Sequence, residues 1–504
     1  MPTRPTLHPV LSLALAVASG LLIGAGQAPM GLWPLTILGV AGFTWLLIDR
    51  SPGRAFGLGY LTGAAMNTLT VSWISVLGAA VGVALIAFLA LWWGLLGLFI
   101  SQLLRLRWWP LLVPPAFVAM EYASGKVPFG GFSWSRLGYT AVDTPLSGWY
   151  AWIGLAGVSL LVAVLGTTLL YVALDRARWR RGAAVVLTLF VVGGLLNLVP
   201  RATPQESVTV AMVQPNVNRN EHGTSSYARS VTNNALSETI FAVATARTQA
   251  TDIDFVLWPE NATDVDPIND AETRSLVETA ASLAQVPILV GAVTDGEQED
   301  TRQTTSIWWD PVDGPGSTYH KRDLVPFGEW IPFRDFLLPR LPILKQIGRQ
   351  SIPGDAPGVV TAPLLGHPNL QIGTIICFEL AYDDTSYETV LAGAQLIVSQ
   401  SNTNTYGGTF QVSQQLTINR VRAMELGREV LASTLNSVSS PIDTHGRVLD
   451  PTTEFTSATR FAEVPLRYNV NLSVHVGPAI SVGAGVLTLV AFACAVVMGR
   501  RRAK

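Results

Sequence analysis

The sequence predicts a two-part molecule: an apolar helical membrane bundle joined to an α/β domain. Three observations predict it. The 504-residue chain is 49% hydrophobic and only 13% charged, with a mean hydropathy of +0.36, whereas a soluble domain averages roughly 25% charged residues. The charge deficit falls before residue 200 and after residue 475. From Ser207 onward, long apolar stretches give way to short β-rich runs separated by helical patterns. The net charge of −2 carries no signature of a nucleic-acid surface. The two cysteines, Cys377 and Cys494, form no disulfide framework.

Seven apolar stretches precede residue 200, at 10–27, 31–48, 56–76, 80–100, 109–124, 146–174 and 183–199; an eighth covers 477–498. About 20 apolar residues suit the hydrocarbon core, and shorter stretches fit by tilting or by thinning the bilayer. If eight spans alternate, Arg4, Arg50, Arg54, Arg105, Arg107, the cluster 176–181 and the cluster 500–502 all fall on one side. The positive-inside rule then puts both termini in the cytoplasm and the α/β part outside it. The expected division is a seven-span domain over 1–200, an extracytoplasmic domain over 201–475, and a last span with a basic tail over 476–504. Gly24-Ala25-Gly26-Gln27-Ala28 resembles a signal-peptide cleavage site, but the spans that follow favour an uncleaved anchor. The turn at 125–145 holds Phe129-Gly130-Gly131-Phe132-Ser133-Trp134, which reads either as a bent interfacial segment or as an ordinary aromatic belt. Glu121, near the outer end of a span, reads as interfacial.

In the α/β part, strands are expected at Val208–Val213, Phe255–Trp258, Ile288–Val293, Ser306–Trp309, Leu370–Ile376, Leu396–Ser399 and Val430–Thr434. Several are continuously apolar, as strands covered on both faces are. Helical patterns lie between them at about 225–250, 270–284 and 411–427. This alternation argues for one α/β domain, large enough for a substantial core.

Three residues stand at or just after strand ends. Glu260 follows Phe255-Val256-Leu257-Trp258-Pro259, where Pro259 closes the strand. Lys321 lies in Tyr319-His320-Lys321-Arg322, and Cys377 follows Ile372–Ile376. A thiol, a carboxylate and an ammonium suffice for acyl transfer: nucleophile, proton carrier and partner for developing negative charge. Each residue also has a plainer reading: Cys377 as a buried structural thiol, Glu260 as a solvated loop carboxylate, Lys321 as part of a basic face. His320 and Arg322 read as structural or surface residues. The run Val325–Gly354 carries Trp330, Phe333, Phe336, Leu337, Leu338, Leu341 and Ile343 among prolines. It is too apolar for a free loop, so it reads as an arm resting on the bilayer or as a segment packed on its own domain.

The Trp258–Asn261, Tyr319–Arg322 and Ile376–Glu379 motifs resemble those of the nitrilase superfamily, whose members carry a Glu-Lys-Cys triad. The resemblance covers most of 207–468, and the membrane segments around it match one branch, the apolipoprotein N-acyltransferases. It implies an αββα sandwich, with Cys377 as the nucleophile that forms a thioester with a phospholipid-derived acyl chain. Glu260 is then the base. Lys321 and the Phe378 N–H stabilise the oxyanion, and Glu329 and Glu379 orient the site. Glu425-Leu426-Gly427-Arg428 matches a further element, read as structural. Trp330, Phe333 and Leu337 become lipid-contacting candidates. The implied partners are a phospholipid donor, the N-terminal amine of a diacylglyceryl apolipoprotein and the bacterial inner membrane, with ping-pong kinetics. No cofactor or metal is expected, because no ligand spacing or nucleotide loop occurs.

The chain departs from the family pattern at Asn216–His222, which lacks a tryptophan. It departs again at Ser401-Asn402-Thr403-Asn404-Thr405-Tyr406-Gly407, which replaces Ser-Asn-Asp-Ala-Trp-Phe-Gly. Two alternatives use the same layout. One is a membrane-tethered amidase or nitrilase. The other is an inactive scaffold that recruits a membrane glycosyltransferase.

Overall fold

The computed structural model describes residues 8–201, 204, 206–217 and 228–503, with the backbone alone at 500–503. Arg4, the 218–222 part of the departing loop, and the side chains of Arg500, Arg501 and Arg502 lie outside the described residues. The chain divides into two compact units. One comprises Met1–Pro200, Thr409–Thr417 and Asn471–Lys504; the other comprises Arg201–Gly408 and Ile418–Val470.

The first unit contains helices α1 (Pro9–Gly24), α2 (Trp33–Leu46), α3 (Pro52–Thr70), α4 (Ala79–Leu103), α5 (Trp109–Ser124), α6 (Tyr150–Leu174) and α7 (Trp179–Asn197), and the terminal helix Ser473–Ala503. Among the described residues every expected apolar stretch coincides with a helix, and the eight-span expectation is supported in part. Among the described residues, four helices are long and apolar enough to cross a membrane: Ala79–Leu103, Pro145–Leu174, Arg176–Asn197 and Ser473–Gly499. Chain breakers explain the difference. Gly and Pro residues between Gly24 and Pro34 cut α1 to 16 residues and α2 to 14, about 21–24 Å of rise. Pro114 and Pro115 lie inside the 16-residue α5, and α3 carries Arg54 and Asn67.

Small residues let these helices approach. A Cβ on Gly20 would stand 2.1 Å from the Thr62 carbonyl oxygen, and one on Gly59 2.2 Å from that of Trp93, the close packing expected between helices in lipid. Glu121 corrects one expectation, since it is buried rather than interfacial. The 125–145 turn folds back over it. Leu137 N donates to Glu121 Oε1 at 2.6 Å, and Arg136 Nε lies 3.4 Å from Oε2. Trp134 is buried too, and its Nε1 donates to Gln414 Oε1 at 2.7 Å, as does Trp73 Nε1 at 3.0 Å.

The second unit contains two sheets. The first comprises β1 (Ser207–Gln214), β2 (Phe255–Leu257), β3 (Ile288–Asp295), β4 (Thr301–Asp310), β5 (Gly314–His320), the short β6 (Gln350–Ser351) and β12 (Ala458–Pro465), in the order β12-β1-β2-β3-β4-β5, with β6 paired to β4. The second comprises β7 (Val359–Thr361), β8 (Gln371–Ile376), β9 (Leu396–Ser401), β10 (Val430–Thr434) and β11 (Ser440–Ile442), in the order β11-β10-β9-β8-β7. Val210, Phe255, Leu257 and Trp308 of one sheet pack with Ile372, Leu396, Val398 and Leu431 of the other. The opposite face of the first sheet, through Val256, Trp258 and Trp309, packs with α8 (Ser230–Gln249) and α9 (Ala271–Ala284). Outside the second sheet, α11 (Asp383–Leu391) packs on β8; α10 is a single turn at Arg334–Leu337, and α12 covers Phe410–Leu426. The layering is α, β, β, α. The central strands β1, β2, β8, β9 and β10 are almost wholly buried because both faces are covered. The strands absent from the sequence reading, β6, β7, β11 and β12, are short or partly exposed, and of β5 only the end near Lys321 was read.

Candidate active site

Three strand ends bring the site together. β2 ends at Leu257 and delivers Glu260, which is buried. Gln400 on β9 fixes the intervening turn, its Nε2 donating to the Trp258 carbonyl at 2.6 Å. Gly291 on β3 lies so close that a Cβ there would stand 2.1 Å from the Pro259 oxygen, so any side chain at 291 would push the base out of place. β5 ends at His320 and delivers Lys321, which is 1% exposed. β8 ends at Ile376 and delivers Cys377 at the start of a 3-10 turn over Cys377–Ala381. The Cys377 backbone has φ +52°, and Asn261 beside Glu260 has φ +56°. Non-glycine residues rarely hold such conformations, and strain of this kind collects at functional sites.

Lys321 is clamped between two carboxylates. Its Nζ donates to Glu260 Oε1 at 3.2 Å and to Glu329 Oε1 at 2.9 Å. The second oxygen of Glu260 accepts from Asn402 N at 2.6 Å, and that of Glu329 from Val325 N at 2.7 Å. Glu260 lies near enough to the Cys377 thiol for its charge to act on it. Burial opposes the Lys321 charge, but Glu260, Glu329 and Cys377 outweigh it and hold its pKa above the ordinary lysine range. Burial pushes the Glu260 carboxyl up, Lys321 pulls it back, and Glu329 adds to the rise. Burial and the Glu260 charge push the Cys377 thiol up against the pull of Lys321. The resting thiol is therefore protonated and lies beside a carboxylate able to take its proton, the arrangement general-base activation needs.

Glu379 is fully buried and makes no bond to the Lys321 ammonium. It braces the backbone instead. Ile376 N donates to its Oε2 at 2.7 Å; Arg322 N at 2.6 Å and the Tyr319 hydroxyl at 2.7 Å donate to its Oε1. It thereby ties the residue before the thiol to the residue after the ammonium. Burial pushes its carboxyl up to about 7, against those donors. Phe378, the oxyanion candidate, directly follows the thiol, and its ring packs edge-on against Tyr382 at 5.3 Å.

The arm candidates lie at the surface. Phe333 is 72% exposed, and Phe327, Phe336, Leu341 and Ile343 are exposed with it. Trp330 and Leu337 are half-buried. Ile331 and Pro332 in the same segment are buried, so only part of it faces outward. Glu425 and Arg428 are both buried. Arg428 donates to the Ala394 and Asn469 carbonyls at 2.8 and 2.6 Å.

The sequence reading missed two parts of the site. Asn402 holds Glu260 through a backbone N–H, which no residue type announces. Tyr406, half-buried on the turn Asn404–Tyr406, has its phenol pushed up to about 12 by burial and then by the nearby Cys377 and Glu329. Its position within the altered Ser401–Gly407 motif was the available signal.

Comparison with known proteins gives these parts a context. Residues 19–168 match the family model described as the apolipoprotein N-acyltransferase N-terminal domain, and residues 209–470 match the carbon-nitrogen hydrolase model. An apolipoprotein N-acyltransferase of Mycolicibacterium smegmatis is 32% identical over 95% of this chain and 84% of its own length. The Vibrio parahaemolyticus enzyme of that name is 26% identical over 87% of this chain and 88% of its own, and that of Vibrio cholerae 25% identical over 91% and 92%. With the membrane helices, the two-sheet domain and a cysteine set against a carboxylate and an ammonium, these matches lead to one conclusion: the chain belongs to the apolipoprotein N-acyltransferase family.

Proposed function

We propose that Cys377, Glu260 and Lys321 carry the lipoprotein N-acylation reaction through a thioester. Glu260 takes the thiol proton as Cys377 Sγ attacks the ester carbonyl of a phospholipid. The tetrahedral oxyanion is met by the Lys321 ammonium and the Phe378 N–H. Collapse breaks the ester C–O bond, and Glu260 returns the proton to the departing lysophospholipid oxygen. The N-terminal α-amine of the diacylglyceryl cysteine then attacks the thioester and gives a proton to Glu260; the C–S bond breaks, the amide is released, and Glu260 returns the proton to the Cys377 sulfur. That amine has a pKa near 8, so a useful fraction is neutral at pH 7. Glu329 keeps Lys321 aimed. The observation that carries this reading is the buried Lys321 held between Glu260 and Glu329, with Cys377 near enough to act on its charge.

The exposed apolar residues around Phe333 and Phe336 serve as an arm that rests on the bilayer and admits acyl chains, with Trp330 and Leu337 beside them. That arm and the match over 19–168 favour acyl transfer over amidase chemistry. The arginine pattern supports a cytoplasmic position for both termini and an extracytoplasmic catalytic domain at the inner membrane.

Intact-protein mass spectrometry after incubation with phospholipid tests the proposal. The expected result is a hydroxylamine-labile fatty-acyl adduct on the wild type and none on Cys377→Ala. No adduct with several headgroups would refute the thioester.

A further inference from the structure

Behind the thiol lies a second cluster of buried charge that the chemistry above does not use. Arg422 on α12 is fully buried. Its Nε donates to the Leu380 carbonyl at 2.8 Å, one Nη to Glu425 Oε2 at 2.5 Å, and the other to Asp383 Oδ1 at 2.9 Å. Glu425, also fully buried, accepts from the Tyr387 hydroxyl. Leu380 belongs to the 3-10 turn that Cys377 opens, and Asp383 and Tyr387 belong to α11, which follows that turn. One guanidinium therefore holds the end of the nucleophile turn and the helix behind it.

Two considerations separate this cluster from ordinary packing. A buried ionic cluster is a weak source of stability, since apolar residues of similar volume often serve as well or better. Cys377 also sits at φ +52°, a conformation that persists only if both flanks are fixed. Glu379 fixes the upstream flank through Ile376 N. Arg422 fixes the downstream flank through Leu380 O.

We infer that Arg422, oriented by Glu425 and Asp383, is a positioning residue that sets the Cys377 thiol and the Phe378 N–H for attack. The inference rests on Cys377 being the nucleophile. Arg422 touches no reacting atom. It keeps the turn from relaxing out of the left-handed conformation, which would swing Sγ away from Glu260. A misplacement on the order of 1 Å costs about 10²-fold in rate.

The test uses full-length protein in phospholipid nanodiscs with three variants: Arg422→Lys, the double variant Arg422→Met with Glu425→Gln, and the mild Tyr387→Phe. Three quantities are measured: thermal unfolding, the single-turnover rate of thioester formation at saturating lipid, and the pH profile of Cys377 alkylation by iodoacetamide. Expected for the double variant is near-wild-type unfolding, acylation slowed about 10²-fold and a shifted alkylation profile. Arg422→Lys should recover part of the rate. A folded double variant with wild-type acylation and alkylation would reduce Arg422 to a structural residue. If the first two variants do not fold, Tyr387→Phe decides: unchanged unfolding with slower acylation supports the inference, and a wild-type rate overturns it. Absence of any adduct in the wild type is a separate outcome, which removes the nucleophile and this inference with it.

Discussion

Lys321 and Phe333 are twelve residues apart and break the burial rule in opposite directions. The ammonium is 1% exposed and the phenyl ring 72% exposed. Lysine is almost never fully buried unless paired, and an exposed apolar segment marks a contact surface. At Lys321 the inversion takes charge out of water, where it acts more strongly on a developing oxyanion. At Phe333 it leaves apolar area exposed. The difference teaches that adjacent segments follow different rules. The first is buried and held by hydrogen bonds, while the second leaves apolar side chains exposed.

Breaking the first region should have the larger effects. Cys377→Ala is expected to cut turnover by about 10³-fold or more, read by acyl transfer to a lipopeptide; an unchanged phenotype of the variant in cells would instead revive a scaffold role. Lys321→Met should slow thioester formation by about 10²–10³-fold. Because it leaves Glu260 and Glu329 facing each other without a cation, it should also destabilise the domain by about 3–5 kcal/mol, read by denaturant titration. Glu379 tests the brace through pH. Its folded pKa of about 7 lies above the ordinary 4.5, so the fold favours its protonated form. That stabilisation is full below about pH 4 and is lost as the pH rises through 7, a slope worth about 3 kcal/mol. Glu379→Gln should flatten unfolding free energy against pH across that window.

The second region should respond differently. Phe333→Ser with Phe336→Ser should raise KM for vesicle phospholipid about tenfold, with no change in unfolding temperature. A matching loss of stability would show that the arm packs after all. The smallest expected effect comes from Tyr406→Phe. Removing one hydroxyl near Cys377 should change the acylation rate by about 2–5-fold and leave lipid KM alone.

Much of this was legible in the sequence. The apolar runs before Pro259 and Cys377 marked covered strands, and residues at the ends of such strands are delivered together by the sheet. The apolar stretches marked each long helix of the first unit. Their lengths were less legible, because Gly and Pro residues at Gly24–Pro34 end helices that composition alone would extend. β7 and β12 were missed because partly exposed edge strands lack a continuous apolar signature.

The sequence by itself determined which residue types were available and which elements would present them: Glu260, Lys321 and Cys377 at strand ends, Phe333 and Phe336 in an apolar run. Local pattern and propensity suffice for that, since they act over a few residues. Only the tertiary structure decided that Lys321 is shared with Glu329, that Asn402 N–H holds Glu260, that Glu379 binds backbone, that Arg422 grips Leu380, and that Glu121 is buried beside Arg136. Each of these is a polar contact between segments distant in the chain or around a turn. Its strength depends on distances of about 3 Å and on exclusion of water, and no local pattern in a sequence encodes either.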